Sequence, residues 1–319
     1  MAAKNDGGET IFFSRERGGG YNMSEDNKVT DLCCAACGKA EIDEIKLKDC
    51  GACDLVRYCS DECREEHKSE HEEECKKRAA ELRDELLFEQ PEGTHWGDCP
   101  ICSLPMPPDI EKSTIYDCCS KLICNGCNYA NQKREIEMGL QQSCPFCCKP
   151  APKTKSEQEK RRMKRVKAND PVANRREGTK QRSKGEYIKA FEYYTKAAEL
   201  GDMEAHYNLA VMYHLGRGVE KDKGKEIYHY EEAAIGGHPS ARYNLGCEEM
   251  DNGNVERAVK HWIIAATQGL DESIKTLMEA FKRGFVEKDD LASALRAHQA
   301  AVDAMKSPQR EAAVAIEHN

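Results

Sequence analysis

Fifteen cysteines and one histidine between Cys34 and Cys147 stand at spacings that suit metal ligation. There are C-x2-C pairs at Cys34/Cys37, Cys50/Cys53, Cys99/Cys102, Cys124/Cys127 and Cys144/Cys147. A C-x3-C joins Cys59 to Cys63, His71 stands four residues before Cys75, and Cys118 and Cys119 are adjacent. Zinc takes four soft or borderline ligands in a tetrahedron, and a C-x2-C turn delivers two thiolates from one short loop. The competing chemistry is a disulfide framework, which needs an oxidising compartment. The opening MAAKNDGGETIFFSRERGGG has neither the apolar stretch nor the cleavage site of a secretory signal. We therefore read these side chains as zinc ligands. No apolar run is long enough to cross a membrane, so the expectation is a soluble, intracellular protein, cytoplasmic or nuclear. A net charge of -9 argues against nucleic acid or anionic lipid as a partner of the whole surface.

Local elements must bring these ligands together. If the charged stretch Asp61 to Glu74 is helical, His71 and Cys75 project from one face. A second stretch, Arg78 to Phe88, carries Leu82, Leu86 and Leu87 at helical spacing and is stopped by Pro91-Glu92-Gly93. The eight ligands from Cys34 to Cys75, with Tyr58-Cys59-Ser60 before the sixth, resemble the MYND zinc finger. The resemblance implies two interleaved sites: Cys34, Cys37, Cys59 and Cys63 on one zinc, and Cys50, Cys53, His71 and Cys75 on the other. Lys68 stands where such fingers usually have a Trp, which argues against the peptide-binding role of some members. His67 is read as a solvated helix residue and Cys33 as a spare thiol.

The series from Cys99-Pro-Ile-Cys102 to Cys144-Pro-Phe-Cys147 resembles a RING finger. That resemblance implies one zinc on Cys99, Cys102, Cys124 and Cys127. It implies a second on Cys118, Cys119, Cys144 and Cys147. Lys121 occupies the place of the usual His, so the adjacent cysteines serve together, or Cys148 or a water replaces one of them. The resemblance also implies a shallow contact for a ubiquitin-conjugating enzyme, with Ile101 and Pro145 at its positions; packing around the zinc is the plainer reading of Ile101 and Phe146. Cys148 stands where a cation usually contacts the conjugated ubiquitin. About four zinc ions are expected per chain, each contributing on the order of 10 kcal/mol to folding. Modules this small bury too little apolar surface to fold unaided.

Between Lys149 and Lys184 there are fourteen Lys or Arg against four Asp or Glu. The core of this stretch, Lys160 to Lys167, reads as a solvated linking helix or a nuclear import signal. It has no aromatic residue for stacking bases. Beyond it the chain repeats. Residues 196–209 align with 232–245 at an offset of 36, and Ala265-Ala266-Thr267-Gln268-Gly269 forms a third copy 32 further on. One helix of each unit carries Ala205, Leu209 and Met212, or Ala241 and Leu245. Its partner carries Tyr228, Ala233 and Ala234, or Trp262, Ala265 and Ala266. The pattern A-x-Y-N-L, then G-x-G-V, then A-A-x-x-G resembles Sel-one-like repeats, relatives of the tetratricopeptide repeat. Such units stack into a solenoid because none buries its own apolar stripe. The polar run Asn174 to Lys184 makes the first unit degenerate, expected to fray or act as a polar cap. Tyr193, Tyr194, Tyr213, Tyr228, Tyr230, Tyr243, His261 and Trp262 read as solenoid core, and Cys247 as a buried or half-buried thiol.

The expected protein is multidomain: two small, cross-braced zinc-stabilised modules with little regular structure, followed by an all-α helical-repeat solenoid. The boundaries are 1–30 disordered tail, 31–78 MYND-like finger, 79–96 linking helix, 97–150 RING-like finger, 151–168 basic linker helix, 169–307 repeats and 308–319 tail. No nucleophile with its base and no open metal position emerges, so catalytic residues are absent from the reading. The function expected is a zinc-binding adaptor or scaffold joining proteins or peptides, with the solenoid's concave face as one contact surface. A RING-type ubiquitin ligase using the solenoid to select substrates, and a chromatin-associated co-regulator, are the alternatives.

Overall fold

A computed structural model of the chain describes residues 33–39, 41, 42 and 46–317. The expected tail at 1–30 lies outside them. The chain divides into two compact units, one up to Asp84 and one from Glu85 onward. The first has little regular structure: β1 (Lys48–Asp49) pairs antiparallel with β2 (Arg57–Tyr58), followed by α1 (Asp61–Phe88). Its buried cluster is small, with Cys34, Leu47 and Tyr58 at the centre. Two helical stretches were expected between residues 61 and 88; the structure has one 28-residue helix. No Gly or Pro interrupts that span, so nothing breaks the hydrogen-bond ladder.

In the second unit, β3 (Ser113–Tyr116) and β4 (Lys121–Cys124) form an antiparallel hairpin with Ser113 opposite Cys124 and Tyr116 opposite Lys121. Then comes α2 (Asn125–Glu137), followed by α3 (Lys155–Lys167) and four helix pairs. These are α4 (Pro171–Ser183) with α5 (Tyr187–Glu199), α6 (Met203–Leu215) with α7 (Lys223–Ile235), α8 (Pro239–Asp251) with α9 (Val255–Thr267), and α10 (Asp271–Lys282) with α11 (Lys288–Ala304). They form the repeat solenoid. The Asp170, Asp202, Asp222 and His238 side chains each accept a backbone N–H in the first turn of their helices, satisfying donors that a helix leaves open. Gly201, Gly237 and Gly269 all take φ of +84°, the left-handed conformation that ends the second helix of a unit cheaply only for glycine.

The small residues read as core are buried: Ala205, Ala233, Ala234, Ala241, Ala265 and Ala266 are fully enclosed, with Leu209, Met212, Leu245 and Trp262 beside them. Cys247 is half-buried against the last core cluster. Tyr228 is a correction, because it is 50% exposed while Tyr230 is buried. Tyr230, Ala233 and Ala234 share the inward face of α7, and a residue two positions earlier points away from it.

Three further expectations change. The first unit is not frayed: α4 is a complete helix whose Asn174, Arg175, Glu177 and Gly178 are buried. Its polar side chains find partners, Arg175 Nε on Asp202 at 2.9 Å and Glu177 on Arg162 at 2.9 Å. The basic helix α3 is not simply solvated, since Arg162 and Val166 are buried. The terminal tail holds α12 (Pro308–Glu317), which packs on α2. No described helix is long and apolar enough to cross a membrane.

Candidate metal centres

The sixteen sequence-nominated side chains come together as four quartets: Cys34, Cys37, Cys59 and Cys63; Cys50, Cys53, His71 and Cys75; Cys99, Cys102, Cys124 and Cys127; Cys118, Cys119, Cys144 and Cys147. In each, the ligand atoms lie within 4.8 Å of one another. A tetrahedron with Zn–S bonds of 2.3 Å has edges of about 3.8 Å. The sulfur separations match: 3.6 Å for Cys37–Cys59, 3.7 Å for Cys59–Cys63, 3.7 Å for Cys50–Cys75, 3.9 Å for Cys102–Cys124, 3.8 Å for Cys119–Cys144 and 3.4 Å for Cys118–Cys147. His71 presents Nε2 to Cys53 at 3.2 Å. These spacings are far longer than a disulfide bond of about 2.05 Å, and all the cysteines are free thiols. The donor sets therefore fit zinc.

Local backbone geometry explains the pairs. Cys34, Cys99 and Cys144 open the same turn: each cysteine N–H donates to the carbonyl five residues on, and its own carbonyl accepts from the N–H four residues on. The residue after the second thiol, Gly38, Ser103 or Cys148, takes φ of +70°, +54° or +56°. Cys148 thus serves as the backbone hinge of its turn. It is exposed and lies outside the quartet that Cys118 and Cys119 complete. Those two sit in the four-residue loop between β3 and β4, while Cys124 and Cys127 begin α2. In the first unit, α1 supplies Cys63, His71 and Cys75. His67 is no ligand in these quartets but is not solvated either: its Nδ1 is 3.1 Å from the Tyr58 hydroxyl, and its ring stacks on His71.

The thiols of a quartet cannot all ionise alone. A hydrogen bond from Cys124 draws the Cys99 thiol down to about 4 and pushes Cys124 strongly up. Burial, then the sulfurs of Cys50 and Cys53, push Cys75 up to about 12. A bound dication supplies the missing positive charge, so binding expels these protons.

Several surrounding residues escaped the sequence reading. Asp117, buried just before the adjacent cysteines, pairs with Arg176 and lies 3.9 Å from Arg162, while Arg165 donates to Ser120 Oγ at 2.6 Å. On the other side, Arg310 of α12 donates to Cys102 Sγ at 3.6 Å and to the carbonyls of Leu104 and Pro105. Gly126 is needed for this approach, since a Cβ there would lie 2.6 Å from the Arg310 nitrogen. Ile101 and Phe146 are 43% and 44% exposed, and Pro145 is half-buried.

A fifth group, His95, Glu204 and His238, has metal-ligand composition but a different chemistry. His238 Nδ1 accepts the Ala241 N–H at 3.2 Å, so the neutral ring carries its proton on Nε2, which lies 3.0 Å from Glu204 Oε2. That nitrogen donates and has no lone pair for a cation. Burial, with His238 alongside, pulls His95 down to about 3; against the opposing effect of burial, hydrogen bonds from His238 and His95 hold Glu204 well below the usual carboxylate range.

Comparison with known families places a MYND finger at residues 34–75 and Sel1 repeats at residues 177–202, 204–238 and 239–270. Among solved structures, the chain is similar to a Sel1 repeat protein from Oxalobacter formigenes, with 25% identity and a TM-score of 0.42 over 56% of this chain and 72% of that one. It is also similar to a protective antigen of uropathogenic Escherichia coli displaying an SLR fold, with 22% identity and a TM-score of 0.40 over 54% and 37% of the two chains. The chain thus combines a MYND finger with Sel1 repeats, a pairing that fits a zinc-binding protein-interaction adaptor.

Proposed function

We propose that the chain is an adaptor in which four structural zinc ions hold two finger modules, at 31–78 and 97–150, and the repeats at 169–307 engage a protein partner. The ligands are the four quartets named above. The carrying observation is that their sulfur separations, from 3.4 to 3.9 Å, lie close to the edge of about 3.8 Å in a zinc tetrahedron. Four protein ligands per ion leave no position for water or substrate, which makes the zinc structural. Native mass spectrometry is expected to find four zinc ions per chain. Two ions, or none, would remove the second module or the whole reading.

A RING-type ubiquitin ligase is the second reading, favoured by one observation. Ile101 and Phe146 present apolar side chains to solvent on two of the ligand turns. Ubiquitination assays with a panel of conjugating enzymes separate the two. Zinc-dependent chains that vanish in Cys99→Ala select the ligase; no chains select the adaptor. The chromatin-associated reading rests on the MYND resemblance and on the basic stretch, where Lys160, Lys164 and Lys167 stay exposed; strictly cytoplasmic localisation of the intact protein counts against it.

A further inference from the structure

Residues Leu87 to Trp96 lead from α1 to the second finger, yet they lie against the repeat array along much of its length. Leu87, 1% exposed, is enclosed by Ala210, Tyr230, Ala233, Ala234, Ala241 and Leu245. The Phe88 ring meets His261 at 4.7 Å and lies beneath the Arg257 guanidinium at 4.8 Å. Gln90 accepts from Thr267, and the Gly93 carbonyl accepts from Gln268 Nε2 at 2.9 Å. The His95 N–H donates to the Gly237 carbonyl at 2.9 Å, its ring stacks on His238 at 4.2 Å, and Trp96 lies under Arg175 at 5.1 Å.

These contacts combine what peptide-binding grooves use: pockets for anchor side chains, and polar groups that read the backbone of an extended segment. Arg242 shows the second device. It is fully buried, and its guanidinium donates to the carbonyls of Leu87 and Ala234. Gly237 shows how close the approach is, since a Cβ there would meet the Gly93 oxygen at 2.9 Å.

Three of the polar residues that touch the segment or its partners also depart from the repeat. Arg242 corresponds to His206 at the offset of 36 and to Ile274 at the offset of 32; Gln268 corresponds to Gly236, and Glu204 to Ser240. These places hold a guanidinium, an amide and a carboxylate, each placed against the linker, where other units carry His206, Ile274, Gly236 or Ser240.

We propose that the repeats form a receptor groove for an extended peptide with a Leu-Phe anchor and, seven residues beyond the Phe, a His-Trp anchor. The chain fills this groove with its own Leu87–Trp96. A partner segment of that chemistry enters only when the linker leaves, because a tethered occupant acts at an effective concentration near the millimolar range. The groove and its occupant are independent of how many zinc ions the chain carries.

The test is a fluorescein-labelled peptide of residues 84–98 added to the full-length protein, read by polarisation. Wild type should bind it at least tenfold more weakly than Leu87→Ser/His95→Ser, in which the anchors no longer hold the linker in place. Equal binding by both proteins, or no binding by a variant whose circular dichroism matches wild type, overturns the proposal. Should that variant not fold, hydrogen exchange of the wild-type His95 amide decides. Protection like that of the repeat helices supports a seated linker, and exchange at an open-loop rate refutes it.

Discussion

The MYND finger and the second cysteine-rich module present one ligand chemistry and differ in what else holds them. In the first unit the buried cluster is little more than the ligands, Leu47 and Tyr58, so its order depends on the bound ion. The second module belongs to the same compact unit as the repeats. Asp117 is gripped from α3 and α4, and Arg310 reaches the Cys102 turn from α12. On the proposed reading, metal would supply most of the order in the MYND finger and complete an already anchored structure in the second module.

The largest expected effect is removal of the metal. Chelation should abolish hydrogen-exchange protection over residues 57–75, each ion being worth on the order of 10 kcal/mol, while residues 113–137 keep partial protection. Equal loss in both modules would erase the contrast. Next is Asp117→Ala, which leaves Arg162 and Arg176 without their shared carboxylate and should cost the second unit about 3 kcal/mol in denaturant titration, with no change in the first.

Acid should separate the units further. His95 is held neutral in the native state down to about 3, whereas the unfolded chain protonates it near 6.5. Its contribution is complete above 6.5 and is lost as pH falls from there toward 3. Between pH 7 and pH 5, wild type should lose about 2 kcal/mol more than His95→Gln at fixed zinc. Equal losses would mean that His95 is not desolvated. The smallest effect concerns Arg310→Ala, which should speed zinc loss to a chromogenic chelator from the second module about tenfold and leave the first unchanged.

Much of this was legible because it is local or periodic. The ligand quartets follow from C-x2-C and H-x3-C spacing read alongside two family resemblances, and the solenoid follows from the Ala-Ala-x-x-Gly period. The misreadings fall elsewhere. Arg162 read as part of a solvated helix, and Arg175 and Arg176 as part of a fraying or capping unit, but they are paired with Glu177, Asp202 and Asp117. Residues 308–317 read as tail but hold the helix that carries Arg310.

By itself the sequence determined which side chains can hold metal and where helices pair, since ligand spacing and helical period act over a few residues through covalent geometry. Only the tertiary structure decided that Leu87–Trp96 lies along the repeats and that Arg310 reaches the Cys102 turn 208 residues away. Such pairings depend on shape and burial meeting across the folded chain, and no local pattern encodes them.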